Sequence, residues 1–241
     1  MKITGYIPNT ITSLNLLCGV LGIIFTFGGN LHAAFLLMLA AAVFDFCDGL
    51  SARALHAYSD MGKELDSLSD VVSFGVLPAC MLHMTMRLCA FSNGLICYVP
   101  VILAVFSGIR LAKFNVDPRQ SESFIGLATP ASAMICGSLC YYVAHSPESF
   151  LSIWASGTVF IPVLSVALSL LLVSPIPMFS LKIKKGSPAK DNIKRLSFLA
   201  NILLICVIVI VLRVDWSMIV LFSLIVYVLM NMAFAIVEKC R

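Results

Sequence analysis

The chain has 241 residues, of which 60% are hydrophobic and only 12% charged, with a mean hydropathy of +1.01. Soluble domains sit near half apolar and a quarter charged, so this balance excludes an ordinary water-soluble globule and points to a bilayer as solvent. The net charge of +4 comes without stacking aromatics among the basic residues, so it reads as membrane topology and attraction to anionic headgroups, not nucleic-acid binding.

Residues 1–10 carry Lys2 and no small-residue cleavage site before the first apolar run, so no cleavable signal is expected. Runs near the ~20 residues needed to cross the hydrocarbon predict an all-α polytopic protein with about eight spans, at 11–29, 32–54, 69–90, 93–114, 128–145, 150–173, 197–213 and 216–237. Linkers such as Gly28-Gly29-Asn30 and Phe91-Ser92-Asn93-Gly94 are short enough for antiparallel neighbours. The exception is Ser180 to Arg195, a basic stretch with Gly186 and Pro188 that divides six spans from the last two. Fourteen of the sixteen Lys and Arg fall on one side of this topology, leaving Arg87 and Arg213 opposite. The positive-inside rule then predicts cytoplasmic N- and C-termini.

Nine cysteines lie singly, with no CxxC, and Cys136 and Cys140 share a helix face without a histidine at ligand spacing. They read as small apolar residues. His32, His56, His83 and His145 are isolated and suit packing or headgroup-level roles.

The acids are distributed unevenly: six of the twelve lie between Asp45 and Asp70, around the junction of the second and third spans. Asp45 and Asp48 are three apart and share one helix face, and Asp66 and Asp70 are four apart on the next helix. Two carboxylates from each of two neighbouring helices can therefore converge. Four ionised Asp in a membrane would cost on the order of 10 kcal/mol, comparable to the whole stability of a domain. Arg53 and Lys63 cannot balance six acids. Divalent cations can, and an all-oxygen ligand set suits Mg²⁺ or Mn²⁺, with two ions matching four carboxylates. Gly49 would let a substrate approach the helix backbone, Arg53 offers a forked contact to phosphate, and Ser51 and Ser59 offer hydroxyl donors.

The pattern D-x2-D-G-x2-A-R-x8-G-x3-D-x3-D, running without departure from Asp45 through Asp70, resembles that of the CDP-alcohol phosphatidyltransferases. Its eight fixed positions make a chance match about one in 10¹⁰ per starting point. The resemblance implies Asp45, Asp48, Asp66 and Asp70 as metal ligands, Asp70 also as proton acceptor, and Gly49, Arg53 and Ser59 as contacts to the CDP portion of a lipid nucleotide. The stretch Pro8 to Asn15 is similar to the family's first nucleotide-contacting helix, which nominates Thr12 and Asn15. Ser73-Phe74-Gly75, Arg110 to Asn115, Phe124 to Ala131, Val173-Ser174 and Ser180 to Lys182 resemble the phosphatidylserine synthase branch. Lys113 stands where that branch leads us to expect Arg, and Ala128-Thr129 where it leads us to expect Pro followed by a variable residue.

The resemblance thus implies a membrane transferase of phospholipid biosynthesis that moves the phosphatidyl group of CDP-diacylglycerol to the hydroxyl of L-serine, releasing CMP. Its catalytic core would occupy residues 1–180, with a basic cytoplasmic linker at 181–195 and two additional helices at 196–241. The same chemistry with glycerol phosphate or inositol phosphate as acceptor, and an ion or proton transporter, are the alternatives. A transporter needs no Gly49, Arg53 and Gly62 at fixed distances from the acids. Serine's carboxylate requires a cation, and Arg110 and Lys113, three apart on one helix, are the candidates, with Arg119 next. The expected setting is the plasma (inner) membrane with the site facing the cytoplasm. Membrane lipids are the expected surroundings, nucleic acid is not an expected partner, and a homodimer is an open option.

Overall fold

The computed structural model describes residues 6–89, 94–116, 124–178 and 189–239. Ten α-helices form among them: α1 (Tyr6–Phe27), α2 (Leu31–Ala54), α3 (Asp60–Asp70), α4 (Leu77–Cys89), α5 (Ile102–Val116), α6 (Thr129–His145), α7 (Phe150–Ser156), α8 (Phe160–Val173), α9 (Ala189–Val211) and α10 (Ser217–Lys239). A π-helical turn, Val71–Val76, joins α3 to α4 in one continuous rod, and a 3₁₀ segment, Leu95–Val101, leads into α5. One two-residue antiparallel pairing sets β1 (Phe124–Ile125) against β2 (Pro177–Met178).

The all-α polytopic expectation holds, with differences in the spans. Six helices are long and apolar enough to cross a bilayer, or seven when the bent pair α7 and α8 is taken as one. The expected span at 128–145 is α6, a 17-residue helix that is apolar all round and buried against α2, α4 and α10. The expected single span at 150–173 is instead broken: α7 and α8 meet at 88°, where Gly157 closes α7 by donating to the Trp154 carbonyl at 3.1 Å. The third span begins nine residues earlier than hydropathy suggests, at Asp60, because Ser59 caps it: its Oγ accepts from the Gly62 amide at 3.0 Å. Of the expected linker at 181–195, residues 181–188 lie outside the described residues, whereas 189–195 form the first turns of α9, so the helix starts earlier than hydropathy suggests because its first turns are polar.

The turn between α1 and α2 follows its sequence. Gly29 adopts φ +79°, a conformation that favours glycine, and the Asn30 side chain caps α2 by accepting from Ala33 N at 3.0 Å. Phe35, Met38, Phe74, Leu82, Met86, Leu103 and Leu139 are sealed in the core. Leu17, Ile24, Phe46, Leu170, Leu203 and Ile210 are exposed, as a lipid solvent allows.

Two glycines bring helices close at the positions that matter for the site. A Cβ at Gly19 would strike the Ser73 side chain, and one at Gly22 would lie 2.7 Å from Leu77 Cδ2. α1 therefore packs tightly along the π turn and the start of α4, as small residues permit in membrane helices.

Candidate active site

Asp45 and Asp48 project from the last turns of α2, and Asp66 and Asp70 from the last turns of α3. One carboxylate oxygen from each of Asp45, Asp48 and Asp66 lies within 4.8 Å of the others. Asp66 Oδ1 is buried with no hydrogen-bond partner. No Lys or Arg forms an ion pair with these three among the described residues. Acidic oxygens crowded this closely, with one orphaned, fit a divalent cation. Asp70 lies one turn deeper than Asp66 and is only 8% exposed.

α1 orients these acids. The Thr12 hydroxyl donates to Asp48 Oδ2 at 2.6 Å, and the Asn15 amide donates to Asp70 Oδ1 at 3.4 Å. Both residues are fully or almost fully buried. Their own backbone carbonyls are held in turn, Thr12 O by Ser69 Oγ at 3.3 Å and Asn15 O by Ser73 Oγ at 3.1 Å. Thr12 and Asn15, singled out as nucleotide contacts, thus steady the acids in this structure. Asn15 Oδ1 remains buried and unpartnered.

Beside the acids opens a pocket of about 400 Å³, lined by Thr12, Asp48 and Asp66 together with Gly49, Arg53, Ser59, Gly62 and Lys63. Arg53 folds back so that Nε donates to Gly49 O at 2.8 Å, leaving its terminal nitrogens for a ligand. A Cβ on Gly49 would meet nothing nearer than Arg53 Nη2 at 4.0 Å. Nothing in the protein's own packing demands glycine there, and the space beside it opens to the pocket. Gly62 is different: its Cβ would lie 3.0 Å from Asn9 Oδ1 and 3.1 Å from Ser59 Oγ, so this glycine admits the first turns of α1. Ser59 lines the pocket while capping α3 and keeps its proton to donate.

Sequence reasoning missed Asn9, Tyr58 and Lys63 as pocket residues. Asn9 stood inside the Pro8 to Asn15 stretch, and Lys63 between two motif positions. Lys63 Nζ also donates to Asn115 O at 3.2 Å, while Asn115 Nδ2 donates to Ser67 Oγ at 2.8 Å. These bonds tie α3 to the end of α5.

Arg110 and Lys113 part company. Arg110 is 7% exposed and its Nη1 donates to Thr129 Oγ1 at 3.0 Å. Asp70 is the carboxylate that acts on its charge, although no ion pair within 4.0 Å joins them among the described residues. Lys113 is exposed, one turn along the same helix from the buried Arg110. Arg119 lies outside the described residues.

This arrangement can hold a polyphosphate against metal-ligating acids, with a buried carboxylate and a buried arginine beyond. Comparison with known proteins agrees. Among curated proteins, the CDP-diacylglycerol–serine O-phosphatidyltransferase of Bacillus subtilis is 37% identical over 130 residues, 54% of this chain and 72% of that one. The enzyme of the same name from Mycobacterium tuberculosis is 37% identical over 186 residues, 71% of this chain and 60% of its own length. An archaetidylserine synthase of Methanothermobacter thermautotrophicus is 37% identical over 144 residues, 57% of this chain and 59% of that one. The chain thus spans about three-fifths of the mycobacterial and archaeal relatives. Residues 5–174 match the model of the CDP-alcohol phosphatidyltransferases, which covers Asp45, Asp48, Asp66 and Asp70, α1 and the Arg110–Thr129 pair, and the chain belongs to that family.

Proposed function

We propose that the protein transfers the phosphatidyl group of CDP-diacylglycerol to L-serine, yielding phosphatidylserine and CMP. The observation that carries this reading is the clustering of Asp45, Asp48 and Asp66, two of which, Asp48 and Asp66, line a pocket together with Gly49, Arg53 and Ser59. The names of the relatives support serine as acceptor.

Asp45, Asp48, Asp66 and Asp70 would hold the divalent cations, Mg²⁺ or Mn²⁺ and two in number. Bound there, the ions neutralise the pyrophosphate and stabilise the charge of the departing CMP. Arg53 and the Ser59 hydroxyl hold the phosphates, while Gly49 leaves the α2 backbone open to them. Thr12 and Asn15 border the nucleotide and keep Asp48 and Asp70 in register. The serine hydroxyl forms a new P–O bond at the lipid-proximal phosphorus as the bond to CMP breaks. Its proton passes to Asp70, whose burial keeps water from competing. Arg110 takes the serine carboxylate; Lys113, exposed at the end of the same helix, draws anionic substrates toward the entrance. Displacement is direct, the serine oxygen replacing the CMP oxygen at phosphorus.

Residues 1–180 form the catalytic core, a basic linker follows, and α9 and α10 form an added hairpin. The protein works in the plasma (inner) membrane with its termini and site on the cytoplasmic side, where the Lys and Arg collect.

The test is CMP release from CDP-diacylglycerol by the purified protein in detergent or vesicles, with the acceptor varied. Release that requires serine supports the reading. Release with glycerol phosphate or inositol phosphate and not with serine moves the protein to another branch, and no release with any alcohol overturns the transferase itself.

A further inference from the structure

In the buried region where α5 meets the start of α6, several hydrogen-bond donors are not used by the fold. Arg110 spends only Nη1, on Thr129; Nε is buried without a partner, and Nη2 makes no hydrogen bond among the described residues. Nε and Nη2 share one edge of the guanidinium, the edge that matches both oxygens of a carboxylate. Thr129 accepts from Arg110 and donates to nothing among the described residues, so its own proton is free. One turn further along α6, Ser132 Oγ is fully buried and unpartnered. The N-cap of α6, Ala128, supplies no side-chain acceptor to the helix's first amides, and the positive end of the dipole is left for a ligand.

The chain is constrained to put Thr129 there. Three residues before it, Gly126 adopts φ +77°. A Cβ at that position would lie 2.5 Å from Leu172 O and 3.1 Å from Ser174 O. Gly126 N donates to Ile176 O at 2.9 Å and Leu127 N to Leu171 O at 3.0 Å, and β1 pairs with β2 on the same side. The approach to α6 is thereby clamped to the end of α8, and the first hydroxyl of α6 meets the guanidinium from α5. A threonine merely filling space would not need a fixed partner on a buried charge.

We propose that Thr129 is a positioning residue for the acceptor: it turns the guanidinium of Arg110 so that the Nε–Nη2 edge receives the carboxylate of an α-amino acid, with the first turn of α6 supplying the remaining donors. Unspent donors facing a single buried cation select an anion. The flat two-oxygen geometry of a carboxylate fits one guanidinium edge, whereas a phosphate dianion asks for more positive charge than Arg110 alone offers. The inference rests on the serine reading above and assigns its acceptor end to α5 and α6, apart from the nucleotide pocket.

The test compares Thr129→Val and Thr129→Ser in the purified full-length protein, using L-serine and serinol, which keeps the hydroxyl and amine and lacks the carboxylate. Loss of one hydroxyl partner to a charged group is expected to raise KM for serine about ten-fold in Thr129→Val. KM for CDP-diacylglycerol should stay within about two-fold, and KM for serinol should change far less than that for serine. Thr129→Ser, which keeps the hydroxyl, should stay near wild type. Three outcomes overturn the proposal alone: an unchanged serine KM in Thr129→Val, equal losses with serine and serinol, or a Thr129→Ser as impaired as Thr129→Val. A wild-type protein that uses glycerol phosphate and ignores serine overturns the serine reading and this assignment together.

Discussion

The two ends of the helical bundle are held by different chemistry. At the acid end, α1, α2, α3, α5 and α6 meet through hydroxyls, amides and glycines. Five buried polar atoms there lack partners: Asn15 Oδ1, Asp66 Oδ1, Ser107 Oγ, Arg110 Nε and Ser132 Oγ. At the far end, α2, α6 and the start of α10 meet through rings. Tyr141 packs edge-on against His32 at 4.7 Å and against Trp216 at 5.2 Å, while Phe35 stacks on Trp216 at 5.8 Å. Ring contacts of this kind contribute about 1 kcal/mol each beyond their buried area. Orphaned buried polar groups cost a comparable amount each, and the far end has its own in His32 Nε2 and Ser217 Oγ. The contrast is therefore one of kind: a carboxylate and a guanidinium are left open at the acid end, whereas ring packing surrounds two isolated neutral groups at the other.

Substitutions at the two ends should therefore separate activity from stability, and the largest separation is expected at Asp66. Asp66→Asn should lower turnover by at least about 10³-fold, the scale of removing one electrostatic element from a transfer site. It should not lower the melting temperature measured without divalent cations, because it relieves crowding among carboxylates. Wild-type protein should gain thermal stability on adding Mg²⁺ or Mn²⁺, by about 2.7 kcal/mol at a hundred times the dissociation constant, and the variant should not. A variant destabilised in chelator, or stabilised by metal like wild type, would put the acids back among the groups that hold the fold.

Phe35→Ala should do the reverse. The ring is fully buried and lies where a Cβ on Gly137 would come within 2.6 Å of it. Its loss should cost about 3 kcal/mol, seen as a lower melting temperature, while kcat of the folded fraction stays near wild type. Gly49→Ala sharpens the contrast within the acid end itself. The cavity around its Cβ is open, so stability should be unchanged while KM for CDP-diacylglycerol rises about five-fold, roughly the worth of one displaced contact. A drop in melting temperature with unaltered KM would mean that Gly49 serves packing after all. The smallest effect belongs to His145→Gln. His145 Nε2 lies 3.8 Å from Asp215 Oδ2, but its side chain is 55% exposed. An ion pair that open contributes under about 1 kcal/mol, and both kcat and melting temperature should barely move.

Legibility in the sequence followed the same division. The acids were readable because spacings of three and four put Asp45 with Asp48 and Asp66 with Asp70 on single faces, and two short-linked helices bring faces together. The membrane class followed from composition alone. Hydropathy did not reveal that α3 begins at Asp60, since its first turns are polar; the cap at Ser59 was the available signal. It also passed over the break at Ser156 to Val159, where Gly157 marked the interruption. Thr129 carried no local signal at all. Its partner is nineteen residues away, and its position depends on Gly126 docking against carbonyls near the end of α8, a tertiary fact that no period or spacing encodes.

The π-helical turn at Val71–Val76 has a consequence for phase. Each residue of an α-helix advances about 100° around the axis, so a straight rod from Asp60 to Cys89 would have one angular setting to serve two demands. The acid half must face α2, where Asp45 and Asp48 wait. The apolar half must present Leu77 to Gly22 and Met81, Leu82 and Met86 to the core. The wider turn between them takes up the mismatch, as such turns commonly do beside functional groups. The rod is in effect two helices keyed at different angles on one shaft. What the chain has to conserve there is the number of residues between Asp70 and Leu77, more than their identities.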